Sequence, residues 1–323
     1  MTNFVRPLFV PKYKDNLNFK HVRLVENNTG NTYVKTGSPE NFKKYNNQDE
    51  IHVYDDLIFS LNARKNEIKN LMGQNTSITY SFPKNGIVIP CYNEHDRLET
   101  EQFKTFIESH PDYLLCFVND GSSDGTLSVL NKLRIAYKEQ VIVVDCLKNK
   151  GKAEAVRAGI NYIKRYTRIE HFGFLDADLS TDFEDLKNLV YTIEKSEFGI
   201  VSGSRIERMG ANIQRKSSRS VISKSINMMI NTILKLNFQD TQCGAKVMTR
   251  QIINQTFAKP FKTKWLFDVE IFQRMNASFG LERSSSMICE QPLKRWIHRD
   301  GSNLGFKDSL KIFKELVKIA FNK

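Results

Sequence analysis

The sequence predicts an α/β fold built on a mostly parallel, Rossmann-like sheet flanked by helices, and three observations carry that expectation. From Gly86 onward, short apolar runs alternate with stretches of helical periodicity. The runs are apolar throughout, as in strands covered on both faces. Each is followed by residues suited to turns and helix caps. Such repeats give parallel strands joined by right-handed crossovers.

Taken in order, strands are expected over 87–89, 114–118, 141–144, 172–175 and 199–201. Helices are expected over about 96–109, 124–138, 152–165 and 182–195, and a further apolar helix over 221–238. Upstream, Asn27-Asn28-Thr29-Gly30-Asn31 separates two short runs and predicts a hairpin of 21–25 with 32–35. Apolar residues across 50–71 have a mostly helical spacing. The chain therefore divides into an accessory extension (1–80), a main domain (81–304) and a C-terminal amphipathic helix (305–323), in which Phe306, Leu310, Phe313, Val317 and Ala320 oppose lysines.

Composition bounds the chemistry. The formal net charge is +12 over 323 residues, which suits polyanionic partners such as phosphorylated substrates or an anionic membrane surface. The five cysteines are scattered with no C-x-x-C spacing, which disfavours a zinc site or disulfide scaffold and fits a cytoplasmic location. No apolar stretch approaches the ~20 residues that span a bilayer. No RNA-recognition aromatic signature is present, so nucleic acid is not an expected partner.

In open parallel sheets, ligands bind beyond the carboxyl ends of the strands. The first run leads into Pro90-Cys91-Tyr92-Asn93-Glu94, and the second into Asn119-Asp120-Gly121-Ser122-Ser123-Asp124-Gly125-Thr126. Turn chemistry accounts for the glycines and caps, but does not require a carboxylate at Asp120, where a base or ribose could be bound. The third leads into Asn149-Lys150-Gly151-Lys152, a basic turn at a helix start that suits an anion or is simply solvated. The fourth leads into Asp176-Ala177-Asp178. Two close carboxylates there suit Mg²⁺ or Mn²⁺ whose remaining shell is phosphate and water. The fifth ends Ser202-Gly203-Ser204-Arg205, and Arg208, Arg215, Lys216 and Arg219 follow. Arginine forks match phosphate oxygens, and this supply exceeds what one diphosphate needs.

With Asp240-Thr241-Gln242-Cys243-Gly244-Ala245-Lys246 and Trp265-Leu266-Phe267-Asp268-Val269-Glu270, the ordered motifs make the sequence resemble family 2 glycosyltransferases of GT-A fold. Within that family it is nearest the branch that glucosylates dolichyl phosphate, and more distantly the mannose synthases of the same lipid. The resemblance spans 86–304. It implies that Pro90, Tyr92, Glu94 and Asp120 contact base and ribose, that Lys152 lies near the nucleotide, and that Asp176 and Asp178 hold metal and diphosphate. It implies that Arg205, Arg219 and Ser223 grip donor and acceptor phosphates, that Gln242 faces the sugar, and that Asp268 and Glu270 stand where hydroxyl-glycosylating relatives keep a base. Three positions depart: Ser180 replaces a glutamine metal ligand, Ala153 replaces a glycine, and residues 1–80 are polar where eukaryotic relatives carry an anchor.

The expected activity is inverting transfer from a nucleotide sugar, foremost UDP-glucose, to a polyprenyl phosphate at the cytoplasmic face of a membrane, with Asp178 and Arg205 assisting departure of the diphosphate. A saccharide hydroxyl is the alternative acceptor, with Asp268 as its base. An idle nucleotide-binding module is a more distant alternative. The helices over 221–238 and 306–321 either lie in a membrane interface or pack on the sheet.

Overall fold

A computed structural model of the chain describes residues 21–26, 32–37, 51–54, 83–214, 217–297 and 315–316, with side chains described for 83–214, 226–297 and 315–316. Its centre is four parallel strands in the order β7-β4-β5-β6, made by β4 (Asn85–Cys91), β5 (Tyr113–Asp120), β6 (Val141–Cys146) and β7 (His171–Leu175). Every residue of β5 is buried, as expected of a strand covered on both faces. Beyond β7 the sheet continues through β10 (Ala245–Thr249), which runs antiparallel, to β8 (Ile200–Ser204) and β11 (Ile288–Pro292). A separate two-stranded ribbon pairs β9 (Asn212–Gln214) with β12 (Arg295–Ile297).

The crossover helices are α1 (Thr100–Ser109), α2 (Thr126–Ala136), α3 (Lys152–Ile163) and α4 (Phe183–Glu194). Downstream lie α5 (Ser217–Leu234), α6 (Arg250–Thr256), α7 (Phe267–Phe279) and α8 (Leu281–Ser286). Two apolar clusters fill the opposite faces of the sheet. On one face α3 approaches closely because position 159 is glycine: a Cβ there would lie 2.6 Å from Val88 and 2.8 Å from Val118.

The described elements bear out the α/β reading from Gly86 onward, with differences of boundary and one correction upstream. The first crossover helix begins at Thr100 rather than near Asp96, because the backbone N–H groups of Asn93, Glu94 and His95 bond side chains of the next strand's loop instead. The apolar helix ends at Leu234 rather than Phe238, with Lys235 left-handed at φ 55° and Asn231 bonding both N–H and C=O of Phe238. The helix expected over 50–71 is corrected at its start: Ile51–Tyr54 form β3, paired antiparallel with β6, while 55–71 lie outside the described residues. Ile and Val at alternate positions favour a strand there, and β6 supplies an edge. The hairpin pairs β1 (His21–Glu26) with β2 (Thr32–Gly37), and β1 joins β3, so these strands prolong the sheet.

Among the described residues no helix is long and apolar enough to cross a membrane. Ile230 and Leu234 of α5 are buried in the core, whereas Met228 is exposed. Of the C-terminal helix only Glu315 and Leu316 are described; both are helical, and Leu316 is 1% exposed within the core. We expect Gly159→Val to destabilise the fold by about 1–3 kcal/mol through overpacking; an unchanged urea midpoint would contradict the packing of α3 described here.

Candidate active site

The crevice beyond the carboxyl ends of β4 to β8 gathers most of the candidate residues. Asp120 ends β5, and its two carboxylate oxygens accept from the backbone N–H of Lys150 (2.9 Å) and Gly151 (2.8 Å). Burial pushes its pKa up, and these two hydrogen bonds oppose the shift. The turn carrying them closes on Gly121, at φ 64°, where a Cβ would lie 2.5 Å from the Asn149 nitrogen. The Asn119 amide donates to Asp145 (2.7 Å), tying the ends of β5 and β6 together.

Pro90 lies on β4, and Tyr92 and Glu94 in the loop after it, with Tyr92 exposed. Asn93, left-handed at φ 51°, accepts from the Ser123 N–H, and the Glu94 N–H donates to Thr126. Glu94 pairs with Arg97 through one oxygen at 2.7 Å; its other oxygen, Oε2, is buried without a hydrogen-bond partner. Burial raises the Glu94 pKa, and the charges of Asp178 and Asp176 raise it further, so three carboxylates share this region.

Asp176 and Asp178 follow β7. Asp178 accepts from the Ser180 N–H (2.9 Å), and the intervening chain is shaped by Leu179 at φ 50°. Asp176 meets the Lys152 ammonium, from the first residue of α3, at 2.5 Å. Burial of Lys152 opposes its charge, but Asp176 and then Asp268 outweigh that and raise its pKa. Gly244 makes this arrangement possible, since a Cβ there would overlap the Asp176 carboxylate.

Arg205, immediately after β8, is clasped by Asp240: Nε to Oδ2 at 2.6 Å, Nη2 to Oδ1 at 2.8 Å, and backbone N–H to Oδ2 at 2.9 Å. Nη2 also donates to the Gln242 carbonyl at 3.1 Å, and the guanidinium carbon lies 5.3 Å from the Trp296 ring centre. Burial disfavours its charge; Asp240 more than offsets that, and Asp176 contributes in the same direction. Asp240 is in turn fixed through its N–H by Glu290 of β11 (2.6 Å). Trp296 of β12 bridges to Thr181, and Ile297 donates to the Ser180 carbonyl, so β12 braces the Asp176–Ser180 loop as well.

Asp268, near the start of α7, forms a buried ion pair at 2.8 Å with Lys246 of β10, which also donates to the Cys243 carbonyl. Glu270 is committed to structure: it accepts from the N–H groups of Lys262 and Thr263 and from the Thr263 hydroxyl. Arg219 and Ser223 lie in α5, where their side chains are outside those described.

Sequence reasoning assigned no role to Asp240, Lys246, Glu290 or Trp296. Asp240 and Lys246 stand inside a motif already singled out, and for Lys246 a charge within an otherwise apolar strand was the available signal. Glu290 and Trp296 carried none.

The sequence profile described as Glycosyl transferase family 2 matches residues 86–257, more than half of the chain. The chain belongs to glycosyl transferase family 2. Curated relatives include dolichyl-phosphate beta-glucosyltransferases. That of Dictyostelium discoideum is 28% identical over 254 residues, covering 73% of each chain. That of Homo sapiens is 29% identical, covering 68% of this chain and 70% of the relative. That of Saccharomyces cerevisiae is 29% identical, covering 72% and 73%. Among solved structures, glucosyl-3-phosphoglycerate synthase from Mycobacterium tuberculosis in complex with UDP aligns with a TM-score of 0.53 at 17% identity, covering 74% of this chain and 80% of that one. The same enzyme with Mn²⁺, UDP and phosphoglyceric acid gives 0.53 at 16%, covering 74% and 79%. At that identity the likeness establishes the shared GT-A fold.

The Lys246–Asp268 pair makes a prediction of its own. Asp268→Leu alone should cost about 3–5 kcal/mol by leaving Lys246 buried and unpaired, whereas adding Lys246→Met should restore much of that loss. A double variant as unstable as the sum of the two singles in denaturant unfolding would contradict a coupled pair.

Proposed function

We propose that this glycosyltransferase moves glucose from UDP-glucose to a polyprenyl phosphate, with inversion at the anomeric carbon. The names of the three relatives support this choice of acceptor and sugar, since each matches about 70% of the chain. The observation carrying the donor site is the gathering of Asp120, Lys152, Asp176 and Arg205 beyond the carboxyl ends of the strands.

The residues present suit a hard divalent cation. Asp176 and Asp178 offer oxygens only, as Mg²⁺ or Mn²⁺ requires, and since no three metal-ligating side chains converge among the described residues, phosphate and water would fill the rest of the shell. Asp176 and Asp178 would hold it, and it would supply neutralisation of the diphosphate charge. The Mn²⁺ and UDP in the complexes of the mycobacterial synthase are in keeping with this assignment.

Pro90, Tyr92, Glu94 and Asp120 would then receive base and ribose, and Gln242 would face the sugar. Lys152 and Arg205 would draw charge from the leaving UDP; because Asp240 already orients the Arg205 fork, little reorganisation is needed during reaction. An oxygen of the acceptor phosphate bonds to the anomeric carbon as the bond to the UDP oxygen breaks. That oxygen is already anionic, so no proton moves and no base is required. A saccharide hydroxyl would need one, and Asp268 is committed to Lys246. Arg219 and Ser223 are proposed for the acceptor phosphate. The acceptor is met at a membrane surface, on the cytoplasmic side, where exposed Met228 and the net charge of +12 favour peripheral contact.

Purified protein with UDP-glucose, Mn²⁺ and a short-chain prenyl phosphate should yield the glucosyl phosphoprenol by mass spectrometry. Asp178→Ala should lower that rate by about 10²-fold or more. Transfer from GDP-mannose in preference to UDP-glucose, or to sugar hydroxyls but to no prenyl phosphate, would overturn the assignment.

A further inference from the structure

Residues 262–266 are the last part of the link from α6 to α7 and pass beside the turn at Gly151. Lys264 and Trp265 are exposed within this loop, although Thr263 and Leu266 on either side are buried. The Lys264 stem runs along Gly151: its Cδ, Cβ and Cγ lie 3.8–3.9 Å from where a Cβ on that glycine would stand. Its charge is close enough to Asp120 to help draw that carboxyl downward against the effect of burial. Lys264 thus stands over the turn whose N–H groups hold Asp120, one residue from the Lys152 that meets Asp176.

Glu270 of α7 holds residues 262 and 263 of this loop, and a second carboxylate holds residues 264–266. The backbone N–H groups of Lys264, Trp265 and Leu266 all donate to the carboxylate of Glu315, at 3.0, 3.0 and 3.3 Å. These donors lead into the first turn of α7, where unpaired N–H groups need an acceptor and a negative charge is favourable. Glu315 comes from the C-terminal segment, and its neighbour Leu316 is buried in the core. A carboxylate some fifty residues away in sequence therefore sets the position of an exposed cation beside the nucleotide turn.

We propose that Lys264 is a further donor-binding residue, which contacts the nucleotide phosphates, and that Glu315 is its positioning residue. This rests on the donor site proposed for UDP-glucose. A lysine acts on phosphate as a mobile point charge, so a fixed backbone determines whether it arrives over the site. The C-terminal segment thereby becomes part of the donor site's architecture without touching the donor.

Calorimetric titration of the full chain with UDP, UMP and uridine in Mn²⁺ tests this. Lys264→Gln should weaken UDP about fivefold to tenfold, leave uridine within about twofold, and be rescued by Lys264→Arg. Glu315→Ala should weaken UDP to a similar extent, and add nothing further in the Lys264→Gln background. Thermal unfolding of each variant separates loss of fold from loss of contact; should Glu315→Ala fail to fold, the exposed Lys264 variants still decide the question. Wild-type affinity for UDP in Lys264→Gln, or equal loss for UDP and uridine, overturns the inference while leaving the donor site intact. Failure of the wild-type chain to bind UDP at all overturns both.

Discussion

The contact of Asp176 with Lys152, made over Gly244, is the constraint around which the crevice is organised. It joins three stretches far apart in sequence: the end of β7, the start of α3 and the loop before β10. A carboxylate at a strand end beside a second carboxylate is unstable without a cation. Lys152 supplies one within the protein, and a divalent cation with a diphosphate would supply more. Any side chain at 244 would occupy the space that Asp176 needs, so that glycine serves the charge arrangement rather than a turn.

Around this contact the protein spends buried charge on geometry. Glu290 fixes the backbone of Asp240, Asp240 clasps Arg205 with both oxygens, and Trp296 covers the guanidinium from the neighbouring ribbon. Lys246, fully buried, pairs with Asp268 beneath the same region. Buried pairs of this kind contribute little net stability, because desolvation offsets the attraction, but removing one partner is expensive. Their effect is to leave each site group one orientation. A preorganised guanidinium can stabilise a leaving diphosphate without first rearranging.

Much of this was legible in the sequence, for identifiable reasons. Strands buried on both faces must be apolar throughout, so β4 to β8 stood out as runs, and what followed them had to line the crevice. Asp120, Asp176 and Asp178 were visible as carboxylates at strand ends; that both oxygens of Asp120 hold the turn at Lys150 and Gly151, and that Asp178 accepts from the Ser180 N–H, was not. Partners across the sheet were not visible. Nothing local to Glu290 or Trp296 reveals that they reach Asp240 and Arg205, since those contacts depend on β11 and the β9–β12 ribbon lying beside β8. Asp268 stands in the first turn of α7 and is also the partner of Lys246, a pairing that appears only when β10 and α7 are brought together. For Ile51–Tyr54, four residues that fit a helical spacing also fit a short strand, and only the open side of β6, with β1 beyond it, decides between them.

The proposed function requires the carboxylates after β7 to hold a cation and, through it, the donor diphosphate. Anomalous diffraction at the manganese edge, from crystals grown with UDP and Mn²⁺, tests that most directly. It should place one manganese peak within direct coordination distance of an Asp178 oxygen and of the UDP phosphates, beside Asp176. A UDP bound in the crevice with no manganese between its phosphates and these two carboxylates would contradict it.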